Sequence, residues 1–327
     1  MTPRTGRTGP TGPTGRGGRL RRPTAAAAVL ATGAALLTTA GPGAAAAPTA
    51  AAHAPAAAPA LAPAADTCDV TKSAAPAKDP DGAAVRRIRQ RGSLVVGVDQ
   101  NSFNWGFRNP RTGRIEGFDI DLAHAIAASL LGDPDRITFK TVPTARRIDA
   151  IKNGEVDLIT RTMTITCDRL KEIAFSAPYF RSGQQAVVPK AARITSTAQA
   201  FRGRRACVAA QSSSEAELKR DPRGSASVTV VENQLDCLVL MQLGQIDTTL
   251  TDTALGAAQA AQDPGIELVG DTIAPAFMGV AVSKAAPDLV AWVNQVLADY
   301  RSGGGWQRSY DHWLAPTMGA SSAQYLP

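Results

Sequence analysis

The sequence predicts an α/β protein, in which a sheet is flanked by helices. A β-branched run at residues 93–98, between Gly92 and Asp99, suits a buried strand. From Phe118 to Leu131 apolar residues recur at the spacing of one helix face, and Gly132 follows as a stop signal. Because strand-like and helix-like segments continue to alternate after this point, the helices are expected to cover the faces of the sheet.

The same patterns assign the remaining elements in chain order. They predict strands at 137–142, 156–160, 205–210, 228–231, 246–251, 266–269 and 277–282. They predict helices at 147–153, 214–220, 235–244, 288–300 and 306–314. The elements form two blocks, the second of which starts near Lys190, and no internal sequence repeat accompanies this recurrence.

The N-terminal segment predicts export. Residues 1–22 hold six arginines and no acid, and an apolar run of Ala, Val and Leu extends from Ala25 to Ala40. Small residues at 44–47 offer cleavage points, so residues 1–46 are interpreted as a signal peptide, with an uncleaved anchor as the alternative. A twin-arginine signal at Arg21-Arg22 is less favoured than the Sec route, because no bulky apolar pair follows.

The next segment predicts a linker without a lipid anchor. Residues 47–67 are rich in Ala and Pro and are expected to be disordered. Asp66-Thr67-Cys68 is not an apolar and small pattern before the cysteine, so a lipobox is absent. We expect an exported protein that is extracellular or associated with the cell surface.

The charge of the chain argues against a nucleic-acid partner. The net charge of +7 comes from 35 basic and 28 acidic residues. Removing the six leader arginines leaves 29 basic against 28 acidic residues. The mature protein is therefore nearly neutral, and no basic surface for nucleic acid is predicted.

Residues 160–169, TRTMTITCDR, form a hydroxyl-rich segment that ends at Arg169. Hydroxyls, backbone N–H groups and a guanidinium can converge there on a carboxylate. The motifs GFDIDL at 117–122, FSAPY at 175–179 and Thr251-Asp252 accompany this loop. Together they resemble the amino-acid-binding branch of the periplasmic-type solute-binding proteins of ABC importers, over roughly residues 92–314.

The resemblance implies an α/β, two-lobed periplasmic-binding-protein-like fold with a ligand cleft between lobes joined by two hinge strands. Lobe 1 would comprise residues 68–186 and 276–327, and lobe 2 residues 187–275, with crossings near 184–190 and 274–279. The implied function is the extracytoplasmic capture of an amino acid by cleft closure. The implied partner is the membrane permease of an ABC transporter, and we expect a monomer.

Four cysteines in an exported chain predict two disulfides, for which the sequence alone allows three connectivities. A bridge across the hinge of the implied fold would oppose opening and closing, so pairing within each lobe is favoured. This predicts the pairs Cys207 with Cys237 and Cys68 with Cys167.

The resemblance also implies roles for residues in the cleft. Arg169 matches the arginine that grips the ligand α-carboxylate, and Thr164 and Thr162 match its hydroxyl and backbone contributors. A guanidinium offers two parallel charge-assisted hydrogen bonds, which a lysine cannot. Asp252 matches the carboxylate that receives the α-ammonium; the alternative role is a helix N-cap.

Specificity residues are expected around this core. Arg147 and Arg161 favour a dicarboxylic ligand, whereas Asp99 matches a carboxylate that glutamine binders use toward the ligand amide. Glutamate or aspartate is therefore the first choice, followed by glutamine or asparagine. Phe103, Trp105 and Phe107 lie where the family packs an aromatic ring on the ligand methylenes; Phe103 is expected to contact the ligand, and the other two to form the cleft wall or core.

Ser213 lies where the family has a helix start that joins the carboxylate, although the family glycine is missing. The alternative is a capping box between Ser214 and Glu217.

Other functions have less support in the sequence. No G-x-S-x-G elbow and no HExxH motif occur, and the cysteines lack CxxC spacing, so no catalytic residues, metal or cofactor are predicted. A dehydratase-type enzyme on the same fold is the less favoured alternative. An amino-acid sensor that feeds a membrane signalling protein would use the same ligand chemistry and stays open.

Overall fold

The computed structural model describes residues 68–327. The predicted signal peptide (1–46) and linker (47–67) lie outside the described residues. Within 68–327, none of the helices combines the length and the apolar character that a membrane span requires.

The secondary structure of residues 68–189 follows this order: α1 Ala83–Arg91, β1 Leu94–Val98, β2 Asn101–Ser102, β3 Gly106–Arg108, β4 Ile115–Glu116, α2 Phe118–Leu131, β5 Ile137–Thr141, α3 Arg147–Lys152, β6 Leu158–Ile159, α4 Cys167–Glu172, β7 Ala174–Phe175 and β8 Phe180–Pro189. Residues 190–327 continue it: α5 Thr197–Phe201, β9 Arg205–Ala209, α6 Ser213–Arg220, β10 Ser227–Val231, α7 Gln234–Gln242, β11 Thr248–Asp252, α8 Thr253–Gln262, β12 Ile266–Val269, β13 Pro275–Met278, β14 Ala281–Val282, α9 Pro287–Ser302, α10 Gly305–Trp313 and α11 Ala315–Met318. Short 3₁₀ turns lie at Thr144–Arg146, Lys190–Ala192 and Ala323–Tyr325.

Each lobe is built around one large sheet. In the described part of the chain, the lobe 1 sheet has the strand order β5-β1-β6-β14-β7, and the lobe 2 sheet has the order β10-β9-β11-β8-β12. The strand β1 pairs in parallel with β5 and β6, and β9 pairs in parallel with β10 and β11. The returning strands β8 and β14 pair antiparallel to their neighbours. The carboxyl ends of parallel strands carry the loops where α/β proteins bind ligands.

Two strands connect the lobes. The first half of β8 pairs with β13, from Phe180 opposite Met278 to Gly183 opposite Pro275, and its second half pairs with β11 and β12 of lobe 2. After β13 the chain enters β14 in the lobe 1 sheet. A Cβ atom at Gly183 would overlap the side chain of Thr272, so glycine permits the close approach of the two connections. The domain limits at residues 186 and 275 stay predictions.

Buried apolar side chains of helices and strands form the core inside each lobe. In lobe 1, Ile120 and Ile126 of α2 and Val293 of α9 are at most 1% exposed. In lobe 2, Phe201 and Val208 are fully buried. Burial of one such side chain contributes roughly 1.5–3 kcal/mol. Phe201 and Val208 belong to a core cluster within lobe 2, whereas Ala254 and Ala258 of α8 belong to the large cluster of lobe 1, so part of the core crosses between the lobes.

Both predicted disulfides form within the lobes. Cys68 pairs with Cys167, with 5.6 Å between their Cα atoms, and Cys207 pairs with Cys237, with a corresponding distance of 5.7 Å. The described residues contain no free cysteine. The first bridge attaches the beginning of the described chain to the first residue of α4.

The C-terminal segment packs against the hinge. The ring of Tyr325 stacks on that of Phe180, with 5.3 Å between the ring centroids and 12° between the planes. Phe180 is the first residue of the hinge strand β8. The preceding helix α11 contacts α8 of lobe 2. The end of the chain is thus in contact with elements on both sides of the hinge.

Some predicted elements require correction. The strand expected at 246–251 lies at Thr248–Asp252, and the strand expected at 277–282 is divided into β13 and β14. The predicted capping box between Ser214 and Glu217 was wrong, because Ser212 is the N-cap and its hydroxyl accepts from the Glu215 N–H at 3.0 Å. The patterns did not predict α1, α5, α8, α11, the strands β7 and β8, or the small sheet of β2, β3 and β4.

Candidate functional site

A small cavity lies between the two lobes. Residues from both lobes line it: Asp99, Ser102, Thr144, Arg147, Arg161, Thr162, Thr164 and Arg169 from lobe 1, and Ala209, Ser212, Ser213, Ser214, Gln234, Thr251, Asp252 and Leu255 from lobe 2. The structure thus brings together eight of the nine predicted ligand-binding residues. Phe103 is the exception.

Arg169 projects into this cavity from α4. The N-cap Thr166 starts this helix, and its hydroxyl accepts from the Arg169 N–H at 3.2 Å. The Arg169 guanidinium donates from Nη1 to the Thr164 carbonyl at 2.7 Å and from Nη2 to the Gln211 carbonyl in lobe 2 at 2.9 Å. Burial lowers the pKa of Arg169 to about 10, and Asp252 opposes this shift. The group is therefore charged at neutral pH and held in a fixed orientation.

Asp252 faces Arg169 from the other lobe. It ends β11 and occupies the N-cap position of α8, but its side chain makes no capping hydrogen bond. Within residues 68–327, its Oδ1 atom is buried and has no hydrogen-bond partner. Burial raises the pKa of this carboxyl to about 7, although Arg169 and Arg147 lower it. An unsatisfied buried acceptor is costly, so it indicates a site for an external donor.

Hydroxyl groups connect the two walls of the cavity. Thr164 Oγ1 and Ser213 Oγ lie 3.3 Å apart across the cleft, and Ser213 Oγ also accepts from Gln184 Nε2 at 2.7 Å. Ser213 is the first residue of α6, so the hydroxyl lies at a helix N-terminus, where backbone N–H groups favour an anion. Gln184 belongs to β8 and pairs directly with Asp252 in the sheet. The hydroxyl pair is thus linked to the hinge.

Two further arginines lie on the lobe 1 wall. Arg161 forms an ion pair with Asp99, with 3.0 Å between Nη2 and Oδ2, and donates to Thr144 Oγ1 at 2.8 Å. Arg147 donates from Nε to the Thr144 carbonyl at 3.0 Å. Burial, followed by repulsion from Arg169 and Arg161, holds the pKa of Arg147 well below its usual value. The wall is therefore strongly electropositive.

The Asp99 carboxylate is already occupied by protein donors. Its Oδ1 accepts from the backbone N–H groups of Gln100 and Asn101, and its Oδ2 accepts from Ser102 Oγ and contacts Arg161. A carboxylate has about four lone-pair sites, and these contacts use all of them. Asp99 thus orients Arg161 and leaves no free acceptor for a ligand amide.

The expected contact between Phe103 and the ligand is not supported by its position. The Phe103 ring packs against Phe107, with 5.0 Å between centroids, and lines a smaller neighbouring cavity. Ser102, the last residue of β2, lines the central cavity in its place. The sequence reasoning also missed Thr144, a hydrogen-bond partner of both Arg147 and Arg161. No motif identifies a lone threonine in a 3₁₀ turn.

A buried tryptophan joins the lobes beside the cavity. Trp105 is fully buried, and its indole Nε1 donates to the Ala254 carbonyl in the first turn of α8 at 3.3 Å. Its ring also packs edge-on against Phe180 of the hinge strand, with 4.8 Å between centroids. The described structure is therefore a closed form, in which lobe 1 contacts the helix that follows Asp252.

Comparison with known proteins identifies the family. The family model of bacterial extracellular solute-binding proteins, family 3, matches residues 94–316. The chain belongs to this family. Family membership confirms the resemblance inferred from the loop and the GFDIDL motif.

Similar relatives and solved structures agree with the family match. The chain is 34% identical over 227 residues to the ABC transporter glutamine-binding protein GlnH of Bacillus subtilis, covering 69% of this chain and 83% of the relative. It is 36% identical over 200 residues to the glutamine-binding protein of Geobacillus stearothermophilus, covering 61% and 76%. A solute receptor for L-cysteine of Neisseria gonorrhoeae superposes with a TM-score of 0.70 at 27% identity, covering 75% of this chain and all of the receptor chain.

These findings establish the chain as a family 3 solute-binding protein with the predicted two-lobed α/β fold. The family and the two relatives are named for binding. A structure of an ancestral amino-acid-binding protein described as a precursor of cyclohexadienyl dehydratase is also similar, with a TM-score of 0.65 at 29% identity, covering 71% of this chain and 99% of that one. The roles of individual cavity residues stay predictions.

Proposed function

We propose that this chain is the extracytoplasmic substrate-binding component of an ABC amino-acid importer and captures its ligand by cleft closure. The observation that carries the proposal is one buried cavity lined by both the Arg169 guanidinium and the partner-free carboxylate oxygen of Asp252. These groups come from different lobes. An amino acid carries one carboxylate and one ammonium at fixed separation, so it can link the lobes through complementary charges.

The α-carboxylate would bind on the lobe 1 side. Arg169 supplies charge-assisted donors, and the hydroxyls of Thr164 and Ser213 lie beside it. The α-ammonium would then complete the hydrogen bonds of Asp252 as lobe 2 closes. Closure excludes water, and each charged contact becomes stronger in the less polar surroundings.

The side chain of the ligand would point toward the arginine-rich wall. Three arginines and two aspartates line the cavity, and Arg161 is already paired with Asp99. Arg147 is then free to donate to a terminal carbonyl oxygen, which glutamate and glutamine share. The surplus positive charge favours glutamate, whereas the names of the two relatives favour glutamine. We therefore propose glutamate or glutamine as the ligand, ahead of aspartate and asparagine.

A thermal-shift screen of the twenty amino acids followed by calorimetry tests the proposed function. Glutamate or glutamine should bind, and Arg169→Ala should weaken binding by about 2 to 5 kcal/mol, as for removal of one partner of a desolvated charge pair. Arg169→Lys is the matched control that keeps the charge and removes the two-pronged geometry. No binding of any amino acid, or unchanged binding by Arg169→Ala, would contradict the proposal.

The choice between the two ligands is tested at Arg147. If the ligand is glutamate, Arg147→Gln should weaken glutamate binding by roughly 1.5–3 kcal/mol, the range for hydrogen bonds to charged groups. Binding of glutamine should fall less, because its neutral amide loses a weaker bond. An equal loss for both ligands would show that Arg147 does not contact the ligand side chain.

The importer role takes precedence over a sensor role because the Bacillus subtilis relative is named as an ABC transporter protein. Uptake of the labelled ligand in cells with and without the gene tests this choice. Unchanged uptake together with a lost signalling response would favour the sensor. An enzymatic role is not proposed, and incubation with candidate acids should yield no product.

We also propose that residues 1–46 are a signal peptide and that the mature protein is an exported monomer without a lipid anchor. The extracellular family supports export. Mass spectrometry of the secreted protein should find an N-terminus near residue 47, and light scattering should give the mass of one chain. A mass that includes the leader, or an attached lipid, would contradict this part.

A further inference from the structure

The cavity loop contains a backbone conformation that needs support. Thr162 lines the cavity and has a φ of 41°, in the left-handed region. β-branched residues rarely adopt this conformation, because the Cβ atom approaches the neighbouring backbone. A strained residue in a binding loop persists only when its surroundings hold it there.

A buried carboxylate outside the cavity lining accepts a hydrogen bond from the backbone of Thr162. Asp119 is 1% exposed and is absent from the residues that line the cavity. Its Oδ2 atom accepts from the Thr162 N–H at 2.8 Å, and its Oδ1 atom accepts from Tyr179 Oη at 2.7 Å. The carboxylate thus connects the start of α2, the binding loop and the segment that leads into the hinge strand β8.

The position of Asp119 is itself fixed by the turn before α2. Gly117 has a φ of 135°, and a Cβ atom there would lie 2.5 Å from the Trp105 carbonyl oxygen. The same carbonyl accepts from the Asp119 N–H at 2.9 Å. Only glycine fits this close approach. The turn therefore fixes the orientation of the Asp119 carboxylate relative to the loop that contains Thr162.

We propose that Asp119 is a positioning residue for ligand capture, whose carboxylate holds Thr162 in the left-handed conformation that aligns the cavity loop. The proposal rests on the amino-acid capture proposed above and adds a residue that does not contact the ligand. Thr162 lies between Arg161 and Thr164, so a change of its φ would displace both side chains from the cavity wall. Asp119 therefore acts on affinity through the backbone.

A double-mutant cycle tests this role. Asp119→Asn keeps the shape of the side chain but removes its charge and leaves one acceptor oxygen, so it cannot accept from both the Thr162 N–H and Tyr179 Oη. Affinity for glutamate or glutamine should fall on the order of 10- to 100-fold, as for loss of a hydrogen bond to a charged acceptor. Thr162→Gly removes the strain, because glycine adopts positive φ readily. In the Thr162→Gly background the loss caused by Asp119→Asn should shrink to less than about threefold.

Asp121 provides the matched control. It lies two residues later on α2, and its carboxylate accepts from Ser309 Oγ at 2.7 Å and from Trp313 Nε1 at 2.8 Å, away from the cavity. Asp121→Asn should lower stability and leave affinity within about threefold, since it removes similar bonds elsewhere. An equal loss of affinity in Asp119→Asn and Asp121→Asn would overturn the proposal. The proposal would also be overturned if Asp119→Asn lowers the ligand affinity as much in the Thr162→Gly background as in the original protein.

Hydrogen exchange at the Thr162 amide supplies a measurement that needs no ligand. Asp119→Asn should accelerate this exchange and Asp121→Asn should not; unchanged protection in Asp119→Asn would refute the proposal. Because this result is independent of binding, it separates failure of the positioning role from failure of the proposed function. Should Asp119→Asn not fold, Tyr179→Phe removes the other bond to the carboxylate, and it should weaken binding only when Thr162 is present.

Discussion

Ligand capture should release a proton from Asp252. Burial raises the pKa of this carboxyl from 3.8 to about 7 in the ligand-free cavity. An ammonium requires the ionised form, which makes up roughly one part in eleven at pH 6 and ten parts in eleven at pH 8 for a pKa near 7. The affinity should therefore be about tenfold lower at pH 6 than at pH 8, which corresponds to about 1.4 kcal/mol.

The direction of the pH effect follows from the raised pKa. In the closed form without ligand the folded state holds the proton more tightly than the unfolded state, so ionisation of Asp252 destabilises this form as the pH rises from about 4 to about 7. The ligand ammonium stabilises the ionised form and offsets this loss. The contribution of the ionised Asp252 to the free energy of ligand binding is thus fully present above pH 7, and it is lost as the pH falls below 7.

Calorimetry in buffers of different ionisation enthalpy measures this release directly. Near pH 7 the buffer-dependent part of the heat should correspond to about half a proton. Asp119, whose pKa is also raised to about 7 by burial, is the second group in this range. It does not line the cavity, so Asp119→Asn should retain the proton release. Equal affinity at pH 6 and pH 8, without any dependence on the buffer, would refute the role of Asp252.

Other expected outcomes concern the hinge, the lobe contact and the disulfides. Gln184→Ala should weaken ligand binding roughly 2- to 10-fold in calorimetry by removing one hydrogen bond to Ser213, whereas Gln185→Ala, which loses a bond to the Gly270 carbonyl on the same strand, should not. The closed form buries Trp105, and opening of the lobes without ligand would expose it, so ligand should shift tryptophan emission to shorter wavelength. Trp105→Phe should remove this shift; a shift that persists would exclude Trp105 as its source. Mild reductant should open the more exposed Cys68–Cys167 bridge before the buried Cys207–Cys237 bridge, as alkylation and mass spectrometry would show; the reverse order would contradict the burial argument.

Helices and strands with regular apolar spacing could be predicted from the sequence. The helix Phe118–Leu131 has the predicted limits because its apolar spacing is regular and Gly132 ends it in a left-handed conformation. The strand at Leu94–Val98 is likewise within one residue of the prediction. In contrast, α8 is composed of Ala, Gly, Gln and Thr with one Leu, so it lacks an apolar stripe and was missed. Strands of two or three residues such as β2 show no measurable alternation.

Site residues that belong to a recognisable sequence motif could be predicted from the sequence. The loop with Arg169 is recognisable because hydroxyls, an arginine and a helix start occur together. The saturation of Asp99 by local donors depends on a turn that brings two backbone N–H groups to one oxygen, and residue types alone do not reveal it. The contact between Asp119 and Thr162 spans 43 residues, and the sequence offers no sign that the two meet.

The contact of Tyr325 with the hinge has a practical consequence. A fluorescent protein joined after Pro327 would sit beside Phe180, the residue at which the hinge strand begins. Rotation of the lobes would change the orientation of such a reporter, so the C-terminus is a suitable attachment point for an optical amino-acid biosensor.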